Sequence, residues 1–160
     1  MNKTLPAASP RRGKVAAGGS ARLVNGPKGL FLLSQDFDGS KEPQPTRLDI
    51  RKWGPATHTF GPPTVVVDDK NGTGEDEVGG LAEDPVTGAL YVAWADHTGS
   101  KTFMRLWVSG NGGKTFSAAT DVAPVNSAAT GPVRIAVTNG RGFLTFQDAS
   151  GLELVDLANL

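Results

Sequence analysis

The sequence predicts an all-β chain assembled from about three repeated antiparallel units. Three observations lead there. The 160 residues include 21 Gly and 11 Pro, which suits many turns between short strands and breaks most helical windows. Apolar residues recur with period two rather than 3.6. Three segments, 29–36, 89–96 and 141–148, are self-similar: each is an apolar or alternating run closing on an aspartate, at Asp36, Asp96 and Asp148.

Each of these runs follows a Gly-containing turn, at 25–28, 84–88 and 138–140, and each turn follows a short strand, at 22–24, 80–82 and 134–137. After the terminal aspartate comes a polar loop and then a third strand, at 46–51, 103–108 and 152–155. A fourth strand is expected at 63–67 in the first unit and at 118–122 in the second, and the third unit stops short of one. The period of about 50–60 residues lies in the range of repeat architectures. Four antiparallel strands per repeat, joined by Gly-rich turns, is the pattern of a β-propeller blade, with an up-and-down β-sandwich as the structural alternative.

The chain therefore divides into a polar segment 1–17, read as a disordered leader or the cut edge of a longer protein, and a partial propeller over 18–160. Its blades are expected at about 18–68, 78–123 and 131–160. Closed propellers have about 4–8 blades, so this fragment needs the remainder of a propeller or self-association to cover its faces.

Charge excludes some functions. Sixteen Lys+Arg balance 16 Asp+Glu, leaving no global attraction to nucleic acid or an anionic membrane. No apolar run approaches the ~20 residues of a membrane span, and segment 1–14 lacks the apolar core of a signal peptide. Cysteine is absent and there are two His, which removes Cys-ligated metal and argues against zinc.

The most informative stretch is 109–116, between the third and fourth strands of the second unit. Asn111 can accept backbone N–H groups and close a tight turn. Gly112 and Gly113 can take positive φ. Ser109 and Thr115 offer hydroxyls to free backbone groups, and Phe116 can fold back as an apolar plug. Stretch 53–60 is a degenerate counterpart in the first unit that keeps only Thr59-Phe60.

The pattern Ser109-x-Asn111-x-Gly113-x-Thr115-Phe116 resembles the Asp-box, or bacterial neuraminidase repeat, with Asn111 for Asp and Phe116 for Trp. The three units resemble blades of sialidase-like, Asp-box-containing propellers. That resemblance implies a structural role for Ser109, Asn111, Gly113, Thr115 and Phe116, on the face opposite the substrate site. It also implies a glycoside hydrolase of the exo-alpha-sialidase type and an extracellular or periplasmic location.

The opposite face would be built from the polar loops, which are rich in acid: Asp36, Asp68, Asp69, Glu75, Asp96, Asp121 and Asp148 fall there. Asp69, Glu75 and Asp96 are the candidate catalytic carboxylates. Asp69, Asn71 and Glu75 also present the hard oxygen donors and Gly turns that suit calcium, the alternative being a solvated acidic loop. Sialidases hold the substrate carboxylate with arginines, and the resemblance assigns that role to Arg22 and Arg134, at the starts of equivalent first strands; Arg134-Ile135 resembles the centre of the family's Phe-Arg-Ile-Pro motif. His97, beside Asp96, is a further candidate for ligand contact. Tyr91, the sole tyrosine, sits within a strand and reads as core, so a complete Tyr-nucleophile site is not expected in this chain. Three functions remain open: a sialidase-like fragment acting on a glycan or sialoside, a non-catalytic propeller binding glycan or protein, and a truncated structural fragment.

Overall fold

The computed structural model describes residues 21–37, 46–69, 79–98, 101–125 and 132–157. Among them every regular element is a strand, and the strands form three antiparallel sheets that do not close on one another.

The first sheet holds β1 (Ala21–Gly26), β2 (Gly29–Phe37), β3 (Thr46–Gly54) and β5 (Thr64–Asp69), with the two-residue β4 (Thr59–Phe60) folded back on the end of β3. The middle sheet holds β6 (Gly80–Glu83), β7 (Leu90–Thr98), β8 (Lys101–Ser109) and β9 (Thr120–Val125). The last holds β10 (Arg134–Thr138), β11 (Arg141–Asp148) and β12 (Gly151–Leu157). In each sheet the strands pair in chain order as an up-and-down meander. The fourth strand of the middle sheet starts at Thr120, two residues later than the periodicity expects.

The repeat extends to irregularities. Pairing between third and fourth strands slips by one residue at Leu48/Asp49 in the first sheet and at Met104/Arg105 in the second. The extra residues are Val66 and Val122, so two bulges occupy the same place in two units. Registers then equate Phe31, Tyr91 and Phe143, and likewise Leu32, Val92 and Leu144.

Strand alternation sends these two sets to opposite faces. Phe31, Leu33, Leu48 and Ile50 of the first sheet pack toward Leu90, Val92, Trp94 and Trp107 of the second. The other face of the second sheet, Tyr91, Ala93, Ala95, Met104 and Leu106, packs on Val137, Leu144, Phe146 and Leu157 of the third. The middle sheet is thus buried on both sides, which is why 90–95 reads as a continuous apolar run rather than an alternating one. We call the face turned toward the next sheet in chain order the forward face, and the other the rear face.

The sheets are not parallel plates. The first strands β1, β6 and β10 adjoin one another in succession, while β5 and β9 do not come comparably close. The layers approach most closely at their first strands, and β12 also touches β9.

Candidate functional site

Up-and-down strands sort the connections to two ends. Turns 27–28, 54–59, 84–89, 109–119 and 139–140 share one end. The C-terminal ends of β2, β5, β7, β9 and β11 lie at the other, where the sequence places its site.

At the turn end, 109–116 is held by its own side chains. The Asn111 Oδ1 accepts the backbone N–H groups of Lys114 (3.1 Å) and Thr115 (3.0 Å) and the Ser109 hydroxyl (3.0 Å). Its Nδ2 donates to Thr115 Oγ1 at 2.7 Å. The buried Ser109 Oγ accepts Gly113 N–H at 3.0 Å. Gly112 and Gly113 take φ of 70° and 79°, a region that disfavours any Cβ. Phe116 packs with both clusters between the first two sheets, and a Cβ on Gly113 would sit 3.3 Å from Leu90. With its polar atoms committed to the turn, Asn111 here closes a loop and wedges it against the neighbouring sheet. A shallow cleft between this turn and the first sheet is lined by Phe31, Lys52, Asn111 and Lys114.

Two adjacent carboxylates, neither singled out by sequence reasoning, tie the turns of neighbouring sheets to the middle one. Glu83 Oε1 accepts the N–H of Lys28 in the first sheet at 2.6 Å. Asp84, with no exposed surface, accepts four backbone N–H groups: Val86 (2.8 Å) and Thr87 (3.4 Å) of its own turn, Asn139 (3.1 Å) and Gly140 (2.7 Å) of the last sheet. Burial pushes the Asp84 pKa up, but the four N–H donors outweigh it and hold the carboxyl at about 2.

At the opposite end, Asp96 is a buried member of β7 and pairs with Arg105, which also contacts Asp121 at 2.6 Å. The hydrogen bond to Asp121 and the charge and hydrogen bond of Asp96 raise the Arg105 pKa. A related group lies on the rear face of the first sheet, where Asp49 pairs with Arg47 at 2.8 Å and Arg51 at 3.6 Å. The expectation that the acidic residues lie on loops needs correcting. Asp36, Asp68, Asp69, Asp96, Asp121 and Asp148 all sit on strands, because the strands run longer than their apolar centres. Asp148 is buried and caps its own turn through Ser150 N–H at 2.7 Å.

Arg22 and Arg134 occupy equivalent register positions, opposite Leu33 and Thr145, on the forward faces of the first and last sheets. Tyr91 is core, 4% exposed, and its pKa is raised by burial and by the nearby Asp84 charge. His97 lies in β7 opposite Thr102, its side chain outside the described residues. Asn71 and Glu75 also lie outside them, so the grouping of Asp69, Asn71 and Glu75 falls outside the described residues. Among the described residues no group of three His, Cys, Asp or Glu is placed to hold a metal, and no helix is long and apolar enough to cross a membrane.

Arg105 had a signal that sequence reading passed over: a lone guanidinium inside the apolar run 103–108 demands a buried partner. Glu83 and Asp84 had a weaker one, two acids closing a strand just before Pro85. Comparison with protein-family models, curated proteins and solved structures finds no match.

Proposed function

We propose that this chain is part of a sialidase-like, Asp-box β-propeller and that it contributes to binding a glycan rather than hydrolysing one unaided. The observation that carries the reading is that β1, β6 and β10 lie beside one another in succession, as the first strands of propeller blades would. The shared bulges and the self-bonded 109–116 turn between third and fourth strands support it.

The chemistry favours binding. A retaining sialidase needs an accessible tyrosine, and Tyr91 is enclosed in the core. Asp96 is held by Arg105 instead of standing free as an acid/base. Arg22 and Arg134, in matching register at first strands, supply the forked donors that a sugar carboxylate requires. On this reading the parent protein is exported, as its resemblance implies.

The test pairs turnover with binding. A fluorogenic sialoside should release no product above buffer, while a sialylated glycan should bind and Arg134→Ala should weaken it by about 10–100-fold. Hydrolysis by the isolated chain would overturn the binding role; absence of any glycan binding would overturn the ligand class.

A further inference from the structure

Five of the six large apolar side chains that lie exposed among the described residues occupy the two end faces of the stack. Phe143 (42%), Leu152 (79%) and Leu154 (65%) lie on the forward face of the last sheet; Leu23 (63%) and Val65 (42%) lie on the first sheet. Val86, in the 84–89 turn, is the sixth.

The repeat says what each exposed position is for. Phe143 stands in register where Phe31 and Tyr91 stand, Leu154 where Ile50 and Leu106 stand, and Leu152 where Leu48 and Met104 stand. All six counterparts are at most 4% exposed, because the next sheet covers them. The rear face of the first sheet is the complementary case. Exposed Leu23 takes the position of Leu81, which packs on Phe31 and Ile50, while Leu32, in the position of Val92, is already buried.

Polarity has changed in step on the two end faces. Leu33, in the first junction, meets Trp94 and Trp107. On the last sheet the place of Leu33 is held by Thr145. On the first sheet the places of Trp94 and Trp107 are held by Ser34 and Arg51, joined by a 2.7 Å hydrogen bond. Continuing the stack would therefore set Phe143 and Leu154 against Leu23, and Thr145 against Ser34 and Arg51.

We propose that the forward face of the last sheet docks a second copy of this chain, through the rear face of that copy's first sheet. Leu23 of one copy then packs against Phe143 and Leu154 of the other, as Leu81 packs within the chain. Such a head-to-tail contact repeats the two junctions already present, and it either closes into a ring or propagates. It stands on the register equivalences rather than on the glycan reading, although Arg134 shares the forward face of the last sheet.

Sedimentation velocity over a concentration series decides it. The wild-type chain should associate with rising concentration. Leu154→Arg, which blocks one face, and Leu23→Arg, which blocks the other, should each remain monomeric, their affinity reduced by about 10-fold or more. Mixed together, the two variants should form a one-to-one heterodimer that grows no further, since each retains the face the other lacks. Both positions are solvent-exposed, and unchanged far-ultraviolet circular dichroism will confirm that the monomers stay folded. A wild-type chain monomeric throughout the series overturns the proposal. So does association of Leu23→Arg alone, which signals forward faces pairing with each other, or a mixture that yields no heterodimer.

Discussion

The two junctions that flank the middle sheet share a plan and differ in chemistry. The first is built from bulk: Phe31, Leu33, Leu48 and Ile50 meet Leu90, Val92, Trp94 and Trp107, with Phe116 inserted from the 109–116 turn. The second is built partly from small residues, Ala82, Ala93 and Ala95, against Leu144 and Phe146. A Cβ on Gly80 would lie 3.0 Å from Ile135, so even a methyl there would press on the last sheet. The polar ties differ in the opposite sense. The bulky junction has one bond from Lys28 to Glu83, whereas the tighter junction has Asp84 bonded to two N–H groups across it and two beside it. The junction that brings small residues of the middle sheet against the last sheet is the one whose backbone is anchored more firmly.

Asp84 should therefore be the residue whose loss hurts most. Asp84→Ala leaves four backbone N–H groups without their buried acceptor and should lower Tm by about 10 °C. Asp84→Asn should also destabilise, because an amide cannot accept on both oxygens and would present a donor to Gly140 N–H. The pH dependence has a definite sign. The folded pKa, about 2, lies below the ordinary aspartate value of 3.8, so the unfolded chain binds the proton more readily. The stabilisation is complete above about pH 4 and is lost as pH falls toward 2. Denaturation midpoints measured across that interval should fall with acid in the wild type and flatten in Asp84→Asn; parallel curves would show that Asp84 is not the anchor.

The next effect sharpens the contrast from the bulky side. Gly113 combines φ of 79° with a neighbour at 3.3 Å, and Gly113→Ala should cost about 1–2 kcal/mol. Asn111→Ala removes the acceptor for two backbone N–H groups that partly recover water, and should cost about 1–2 kcal/mol. Urea midpoints with unchanged m values test both. The parallel turn in the first sheet has no such amide: Thr57 and His58 N–H groups bond to Gly54 O, and Trp53 stacks edge-on with His58 and Phe60. Its aromatic packing explains why only Thr59-Phe60 of the pattern survives there.

This division marks what the sequence could reveal. Period-two alternation and Gly turns locate the strands because they are local signals, and the equivalence of 29–36, 89–96 and 141–148 emerges as a shared register. The 109–116 turn was equally legible, since its bonds span four residues or fewer. The ties between sheets were not. Glu83 and Asp84 find partners 55 and 56 residues away, and no spacing rule connects them. The acidic end was misread in part because strands continue past their apolar centres, carrying Asp68, Asp96 and Asp121 with them.

The smallest expected effect tests the asymmetry most directly. Glu83 and Asp84 are neighbours on one chain, and alternation at the end of β6 turns them to opposite junctions. Glu83 uses one oxygen on Lys28 N–H, while its buried Oε2 has no hydrogen-bond partner among the described residues. Glu83→Gln keeps an acceptor for Lys28 and removes a carboxylate from a site that leaves half of it unsolvated. The loss of one charge-assisted bond and the relief of that burial oppose each other, so stability should move by less than about 1 kcal/mol. A loss as large as that of Asp84→Asn would mean that both junctions depend on a carboxylate, and the contrast between a bulk-filled and a bond-anchored junction would fail.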